Sequence, residues 1–385
     1  MHIVADQNIP ALPQLLAGAG RLSRYSERQP PAQLLRTADA LLVRSVTTVD
    51  RALLRQAPQL KFVGTATIGT EHLHCEALAE RDIAVASAPG ANADSVGEFV
   101  LAAVLACFQQ RGQLSHLPEL EVAIVGAGHT GRAAGQRLQA LGLLVHYYDP
   151  PLLKNKNQPP VEGELHNHWQ RVLNSDIISC HVPLTHNGPH PTAQLLDIEA
   201  LQSLHNEQLL INASRGAVVD NQALLRCCQQ GDCPQLVLDV WQNEPQIITE
   251  LLPEVTVATP HIAGHSAEGK LGGAIMIARA LQQFAGQPFS TDLDSLLPPC
   301  DWPVCDAEKL DTPMQLAQLV LQRYDIWQDD RNMRERGTSA AGFDQLRKQY
   351  RKDNPRRQLN NQRIACHNSQ QLERFRALGF SAFRI

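Results

Sequence analysis

Two kinds of segment are missing from this sequence of 385 residues. No apolar run approaches the roughly 20 residues that a helix needs to cross a bilayer. The opening MHIVADQNIP has no basic segment followed by an apolar stretch, as a secretory signal would. The formal net charge of −5 gives no overall attraction to nucleic acid or to an anionic membrane. We therefore expect a cytoplasmic protein whose partners include neither nucleic acid nor a membrane.

Cysteine is present, but without a framework for disulfides or metal. The nine cysteines are scattered, which in a chain of this length predicts reduced thiols in the cytosol. The group at residues 72–75 and the pair Cys300 and Cys305 each lack a second half with matching spacing. Five histidines between residues 166 and 190 are better explained by a polar, solvated loop than by a metal site. The sequence predicts no bound metal.

Short apolar runs alternate with helical patterns along most of the chain. Runs typical of strands are HIVA, ALLVRS, LKFVGTA, IAVASAP, EVAIVG, LLVHYYD, DIISCHVP, QLLINAS, QLVLDVW and VTVATP. Repeated units of strand, helix and strand require a parallel, doubly wound sheet. The apolar helix VGEFVLAAVLACFQQRGQL is long enough to connect two such α/β units. With 43% hydrophobic and 19% charged residues, the composition is typical of a soluble globular protein.

The motif GAGHTG directly follows the strand EVAIV and opens a helix. Its glycines suit a tight turn, close backbone approach to a pyrophosphate and close contact between helix and strand, with the phosphates at the helix N-terminus. The candidate cofactor-binding residues of this loop are Gly126, Gly128, His129, Thr130 and Gly131. A flexible glycine turn, or the glycine loop of a methyltransferase, is the alternative interpretation. The flanking strand and helix favour a dinucleotide.

The strand after this helix ends in Asp149, about twenty residues beyond the glycines, where a carboxylate accepts hydrogen bonds from ribose hydroxyls. The same carboxylate would repel a 2′-phosphate. Pro150 and Pro151 follow it, instead of an arginine that could neutralise that phosphate. The sequence therefore predicts NAD, and not NADP, as the cofactor.

Three charged or titratable residues follow three later strands. Arg215 comes after QLLINAS, Glu244 after QLVLDVW and His261 after VTVATP, so all three are expected at the carboxyl edge of one parallel sheet. Oxidation of a secondary alcohol needs a base, a cation for the substrate and a hydride acceptor. We predict that His261 is the base, that Glu244 stabilises its protonated form, and that Arg215 binds a substrate carboxylate. Asp239 is predicted to lie near the nicotinamide.

The motifs GAGHTG, NASRGAVVDNQALL, LDVWQNEP and TPHIAGHS occur in this order, and the sequence resembles the D-isomer-specific 2-hydroxyacid dehydrogenases over residues 1–290. The resemblance implies that Ser45 and Thr67 contact the substrate and that Ala213 and Gly264 lie on the cofactor. Arg44, beside Ser45, is our own candidate for binding a substrate anion, with an ordinary surface arginine as the alternative.

The resemblance and the residues together predict an α/β protein with three domains. A flavodoxin-like substrate-binding domain is expected over residues 1–95, completed by residues 258–290, and an NAD-binding Rossmann domain over residues 96–257. A segment rich in proline and aspartate then precedes a small α+β domain over residues 291–385, with one possible strand at residues 363–366. We expect the active site in the cleft between the first two domains.

The last region decides between members of the family. YDIWQDD and GFDQLRKQY are similar to the C-terminal dimerisation domain of a member that oxidises a phosphorylated four-carbon hydroxy acid, which implies a homodimer. The alternatives are a phosphoglycerate dehydrogenase, another 2-hydroxyacid dehydrogenase or, from a different class, an NAD-sensing binding protein like the C-terminal-binding corepressors. His265 stands where the family commonly has tyrosine, Val182 where it often has threonine, and Ala91 where cysteine is frequent.

The basic stretch LRKQYRKDNPRR at residues 346–357 is the strongest argument for a nucleic-acid role. Because it has no aromatic residue besides Tyr350, a solvated face or a subunit contact is the favoured interpretation. A sharper hypothesis is that Arg347 or Lys348 neutralises a substrate phosphate, across a dimer interface.

Overall fold

The computed structural model describes residues 1–155, 161–289, 291 and 294–385. The chain divides into two compact units, of which the first comprises Met1–Asn92 and Ser266–Pro299, and the second Ala93–His265 and Cys300–Ile385. Of residues 291–385, expected to form a domain of their own, those up to Pro299 belong to the first unit, and Cys300–Ile385 belong to the same compact unit as the glycine motif. Ser290, at the predicted boundary before that region, lies outside the described residues.

Fifteen strands and fifteen α-helices are found in the described part of the chain. The strands are β1 (His2–Asp6), β2 (Arg21–Tyr25), β3 (Ala40–Val43), β4 (Phe62–Thr65), β5 (Ala84–Ala86), β6 (Glu121–Val125), β7 (Leu144–Tyr148), β8 (Glu164–His166), β9 (Ile177–Cys180), β10 (Leu209–Asn212), β11 (Gln235–Leu238), β12 (Val257–Ala258), β13 (Cys305–Asp306), β14 (Arg363–Cys366) and β15 (Ser381–Arg384). The helices are α1 (Leu12–Leu15), α2 (Ala32–Leu35), α3 (Arg51–Gln56), α4 (Cys75–Ala79), α5 (Ala93–Arg111), α6 (His129–Leu141), α7 (Pro150–Lys154), α8 (Trp169–Leu173), α9 (Ile198–Gln202), α10 (Asn221–Gln230), α11 (Ala267–Phe284), α12 (Pro313–Arg323), α13 (Ile326–Arg336), α14 (Ala340–Lys348) and α15 (Ser369–Ala377).

The first unit is built on a five-stranded parallel sheet with the order β2-β1-β3-β4-β5. This 2-1-3-4-5 order is the flavodoxin-like topology expected from the sequence. Successive residues of β1 and β3 alternate between two hydrophobic clusters, one of which also contains apolar residues of α11. Both faces of the sheet are therefore covered, which explains why its strands read as continuous apolar runs.

The second unit contains a seven-stranded parallel sheet with the order β12-β11-β10-β9-β6-β7-β8. Read from β6, this is the 3-2-1-4-5-6 order of a Rossmann fold with one further strand, and it confirms the predicted fold class. Residues of β6, β9 and β10 alternate between a cluster that includes α5 and a cluster that includes α10. The order reverses between β6 and β9, so the crevice at their carboxyl ends is the expected place for a ligand.

The C-terminal region adds helices α12 to α15 and a small parallel sheet with the order β13-β14-β15. The sequence predicted only one of these three strands. Helix α13 covers the edge of the large sheet: Asp330 accepts a hydrogen bond from the Ala258 amide at 2.8 Å. Arg334 donates to the carbonyl oxygens of Leu252 at 2.7 Å and Val255 at 2.5 Å. Backbone groups beside β12 thus find partners in place of a further strand.

Arg356 also fixes the C-terminal region to this unit. Its side chain is buried and donates to the Ala263 carbonyl at 3.1 Å and to the Ser95 carbonyl at 2.6 Å. Its guanidinium lies 3.9 Å from the centre of the Tyr324 ring, which is also buried. Ala263 is two residues from His261, so the C-terminal region contacts the segment that carries the predicted base.

Two expectations about single residues were wrong. Cys228 and Cys233 are joined by a disulfide, whereas all thiols were expected to be reduced. His166 and His181, which were assigned to a solvated loop, are buried. His166 lies in β8 and its Nε2 is 2.6 Å from Nδ1 of His146, while His146 Nε2 is 2.9 Å from the Ser175 hydroxyl. His146 and His166 thus hydrogen-bond each other inside the fold, whereas Nε2 of His181 lies 2.9 Å from the Ser179 hydroxyl.

No helix in the described residues is long and apolar enough to cross a membrane.

Candidate active site

His261 and Glu244 form the closest contact between titratable side chains near the carboxyl ends of β11 and β12. Nδ1 of His261 lies 2.5 Å from Oε1 of Glu244, and the side chains are 30% and 22% exposed. Burial raises the pKa of the Glu244 carboxyl, but the charge of His261, the hydrogen bond between them and the charge of Arg347 outweigh burial, so that its pKa is lowered. An ionised Glu244 accepts a hydrogen bond from Nδ1–H of His261, which leaves Nε2 available to a substrate.

His261 is held by Asp239 in an unusual backbone conformation. Its φ of 57° lies in the left-handed region, and its amide donates to the Asp239 carbonyl at 2.6 Å. The Asp239 carboxylate accepts from the Ile262 amide at 2.7 Å, the Ala263 amide at 3.0 Å and the Thr259 hydroxyl at 2.6 Å. Asp239 is 1% exposed, so these contacts surround its carboxylate on the interior of the turn. The structure therefore shows Asp239 shaping the turn of His261, while the predicted contact with nicotinamide stays a prediction.

Arg215 is placed by the end of β10. The strand is buried throughout, and Asn212 at its end donates from Nδ2 to the Arg215 carbonyl at 3.1 Å. Gly216 follows because a Cβ there would lie 2.0 Å from the backbone of Trp241, which allows no side chain. Since β10, β11 and β12 are parallel neighbours, Arg215, Glu244 and His261 follow the same edge of the sheet, as the sequence predicted.

The glycine motif forms the expected connection between β6 and α6. Gly126 has a φ of 99°, and a Cβ on Gly131 would lie 1.9 Å from the Gly126 carbonyl oxygen, so both positions need glycine. At Gly128, by contrast, a Cβ would meet nothing within 4 Å. The backbone is thus open at the N-terminus of α6, where a pyrophosphate binds. His129 is exposed and Thr130 half-buried at this terminus.

A cavity of about 690 Å³ adjoins the glycine motif and is lined by Gly128, His129, Arg132 and Asp149, among others. Asp149 accepts from the Ala127 amide at 2.9 Å and the Leu152 amide at 2.9 Å, which fixes the carboxylate beside the loop. A carboxylate has about four acceptor positions, so it can still accept from a ribose diol. The residues present therefore fit a dinucleotide with a free 2′-hydroxyl.

The predicted substrate-binding residues lie in the first unit, after β3 and β4. Arg44 donates from Nε to Asp6 at 2.9 Å, which orients its guanidinium. Ser45 is exposed. Thr67 lies 2.7 Å from the hydroxyl of Thr65, measured between the two Oγ1 atoms, and donates to the Gly69 carbonyl at 3.0 Å. Because β3 and β4 are parallel neighbours, these three residues share one edge of the five-stranded sheet.

The remaining predicted cofactor residues are placed on the same edge as the base. Ala213 directly follows β10 and is half-buried, and Gly264 is half-buried three residues after His261. Val182 lies near the glycine motif, since a Cβ on Gly126 would be 2.9 Å from its Cγ1. The ring of His265 lies 5.8 Å from that of Tyr350, so the residue that replaces the family's tyrosine packs on the C-terminal region.

The sequence analysis did not identify the groups that hold Asp239 and Glu244 beside the base. Thr259 and the two amides that bind Asp239 could not be recognised from the local sequence VTVATPHIAG. Nor could the influence of Arg347 on Glu244, since about one hundred residues separate them.

Of possible metal ligands in the described residues, Asp306, Glu308 and His367 lie within 4.8 Å of one another, but this group is at the surface and carries no further sign of an ion.

Comparisons with known proteins agree with this geometry. Residues 103–263 match the family model for the "D-isomer specific 2-hydroxyacid dehydrogenase, NAD binding domain", and residues 296–379 match a domain of unknown function, DUF3410. The D-lactate dehydrogenase of Aquifex aeolicus, in complex with NAD and lactic acid, has a similar fold, with a TM-score of 0.59 and 22% identity over 74% of this chain and 96% of that one.

Two relatives match almost the whole chain. The erythronate-4-phosphate dehydrogenase of Idiomarina loihiensis is 58% identical over 99% of both chains. That of Psychromonas ingrahamii is 42% identical over 94% of this chain and 91% of its own.

Fold, glycine motif and family match together define an NAD-dependent dehydrogenase of 2-hydroxy acids. The glycine motif and the family match lie in the second unit, and the first unit has the flavodoxin-like sheet order expected for the substrate-binding domain. The full-length relatives narrow the assignment, and the chain belongs to the erythronate-4-phosphate dehydrogenases.

Proposed function

We propose that this enzyme oxidises the 2-hydroxyl of 4-phospho-D-erythronate to 3-hydroxy-2-oxo-4-phosphooxybutanoate during pyridoxal 5′-phosphate biosynthesis, with NAD as cofactor. The observation that carries the chemistry is the 2.5 Å contact between His261 Nδ1 and Glu244 Oε1 on the sheet edge shared with Arg215 and the glycine motif. The names of the full-length relatives support the choice of substrate.

His261 is proposed to act as the general base. Its Nδ1–H keeps its proton and donates a hydrogen bond to the ionised Glu244, so Nε2 is unprotonated and accepts the proton of the substrate 2-hydroxyl as the carbonyl forms. Glu244 then stabilises the protonated imidazole, and the proton returns to the oxygen in the reverse reaction. Bound NAD supplies the acceptor for the hydride that leaves C2.

Arg215 is proposed to bind the substrate carboxylate and to polarise the carbonyl that forms. Its planar guanidinium can donate two parallel hydrogen bonds to a carboxylate, which fixes the orientation of C2. Ser45 and Thr67 are proposed to contact the substrate, and Arg44, oriented by Asp6, to bind its phosphate or carboxylate.

The cofactor contacts are also part of the proposal. Gly126, Gly128 and Gly131 with the N-terminus of α6 would hold the pyrophosphate, assisted by His129 and Thr130. Asp149 would accept the ribose hydroxyls. Ala213, Asp239 and Gly264 would line the nicotinamide half. We further propose that the protein works in the cytoplasm as a homodimer formed through residues 291–385.

The experiment that tests this function is single-turnover reduction of NAD by the purified protein. 4-Phospho-D-erythronate, 3-phospho-D-glycerate and unphosphorylated erythronate would be compared, since single turnover excludes slow product release. We expect the four-carbon phosphate to react fastest. Faster reaction of phosphoglycerate would keep the mechanism and discard the substrate, whereas no reduction with any of them would favour an NAD-sensing binding protein.

A further inference from the structure

The C-terminal region matches a domain of unknown function, yet the structure joins it to the catalytic segment at several points. Asp330 of α13 binds the backbone of β12 itself and Arg334 binds backbone carbonyls before it, while Arg356 binds the carbonyl of Ala263, two residues after His261. These contacts fix the position of the following helix, α14, relative to the edge of the large sheet.

Helix α14 is anchored by apolar residues on one face. Phe343 is fully buried and Leu346 packs against the same hydrophobic cluster, which also contains Trp241. Trp241 lies three residues before Glu244, and its indole Nε1 donates to the Thr259 carbonyl at 2.9 Å. The helix is therefore packed on the hydrophobic cluster that supports Glu244.

Arg347 follows Leu346 on this helix, and its charge acts on Glu244. Nε of Arg347 and Oε2 of Glu244 are both buried, and within the residues that the structure describes neither atom has a hydrogen-bond partner. Two basic side chains act on the carboxylate: His261, whose Nδ1 lies 2.5 Å from Oε1, and Arg347 of the C-terminal region. Removing solvent around such a group strengthens both interactions.

We infer that Arg347 is a positioning residue for the reaction, which supports Glu244 as the hydrogen-bond acceptor of His261. The C-terminal region thereby contributes to catalysis from within the same chain, in addition to any role in dimerisation. This inference rests on the proposed dehydrogenation, because it assigns Arg347 to the support of the same base.

The direction of the expected pH effect follows from the roles of the two groups. In the reductive direction, 2-oxo acid and NADH react while His261 is protonated and Glu244 ionised. The rate is lost at low pH when Glu244 takes up a proton. Without the positive charge of Arg347, burial is opposed only by His261 and by the backbone hydrogen bond with Trp241, so Glu244 takes up its proton at a higher pH.

The test compares Arg347→Met, Arg347→Lys and the matched control Lys352→Met, which removes an exposed cation of the same basic stretch. Reductive kcat is measured against pH with 3-hydroxy-2-oxo-4-phosphooxybutanoate and NADH. We expect Arg347→Met to move the acid limb upward by on the order of half a pH unit or more. Arg347→Lys should restore most of the wild-type profile, and Lys352→Met should leave it unchanged. Thermal unfolding confirms that each variant folds.

A second readout needs neither substrate nor turnover. The Nδ1 proton of His261, shared with Glu244, gives a far-downfield proton resonance in NMR that can be identified with His261→Asn. In Arg347→Met this signal should be lost at a higher pH than in the wild type. If wild-type protein is inactive with the four-carbon substrate, the proposed function fails while this signal still decides the role of Arg347.

Two results would overturn the inference. One is an Arg347→Met variant whose pH profile and downfield signal both match the wild type. The other is a higher KM for the phosphorylated substrate, with no change in the pH profile, which would show that Arg347 binds the phosphate instead.

Discussion

If His261 is the base, its replacement should lower kcat and leave NAD affinity unchanged. His261→Ala removes the proton acceptor but leaves the glycine motif and Asp149 in place, since these follow other strands. We expect unchanged NAD affinity by calorimetry and a fall in kcat of about 10²- to 10⁴-fold. Wild-type rates in this variant would show that another group takes the hydroxyl proton.

Alanine substitutions at Gly128 and Gly131 separate the effect of the glycine motif on NAD binding from its effect on stability. Gly131→Ala places a Cβ 1.9 Å from the Gly126 carbonyl oxygen, so it should destabilise the fold by roughly 1–3 kcal/mol and weaken NAD binding. Gly128→Ala meets no atom within 4 Å, so it should weaken NAD binding without lowering the melting temperature. Equal losses of stability in the two variants would contradict this difference. Thermal unfolding and NAD titration measure both effects.

At the scale of residues, the sequence predicted which side chains follow the strand ends, but not the contacts that hold them there. The positions after strands indicated Arg215, Glu244 and His261, because a parallel sheet brings its carboxyl ends to one edge. The contacts by which Asp239 shapes the turn of His261 were not predictable. Its partners Thr259, Ile262 and Ala263 follow a later strand and bind it only in the folded turn. The local sequence alone does not distinguish a carboxylate that lies beside a nicotinamide from one that binds the amides of a turn.

Every strand that is buried throughout was predicted, and the strands that were missed are only partly buried, although the partly buried β5 and β7 were also predicted. The apolar runs of β6, β9 and β10 are buried at nearly every position, so their sequence has the pattern of covered strands. Strand β2 has one buried residue in five, and β8 is three residues long with polar ends. Both are edge strands, each of which pairs with one neighbouring strand only. Because fewer of their side chains are buried, their sequences lack the apolar pattern of a covered strand.

The pairing of β7 with β8 creates a pH-dependent element. His168 donates its amide to Nδ1 of His166, whose Nε2 then donates to His146, and His146 donates to Ser175. Burial, followed by the charge of Arg171, lowers the pKa of His146 to about 4, so the neutral ring is the folded form. This chain of hydrogen bonds needs one neutral tautomer of each ring.

The stability that comes from this element is lost on acidification. The unfolded state binds protons below a pKa of about 6.5 and the folded state only near 4, so the free energy of unfolding falls between these values, by up to about 3 kcal/mol. Urea unfolding at pH 7 and pH 5 measures the fall. His146→Gln keeps a polar group but does not titrate, so its fall should be smaller than that of the wild type. An identical fall in both proteins would assign the effect to other groups.

At the scale of the whole molecule, the proposed homodimer can be tested by mass. Sedimentation should give twice the 42.4 kDa of one chain at micromolar concentration. Val304, in the C-terminal region, is an apolar residue with 49% of its surface exposed, so it is available to a dimer interface formed there. Val304→Asp should weaken the dimer. The control Val85→Asp changes a residue with similar exposure in the first unit and should not. A monomeric wild type would refute the proposal.

The covering of β12 by α13 has a consequence for the synthesis of the chain. Ala258 is made 72 residues before Asp330, whose carboxylate is the partner of its amide. At about 5–20 residues per second, this amide waits for several seconds until its partner has been translated. During that interval the growing polypeptide presents an uncovered strand beside the segment of its future base. The nascent NAD-binding sheet is therefore open to association with other chains on the same messenger until Asp330 has been translated.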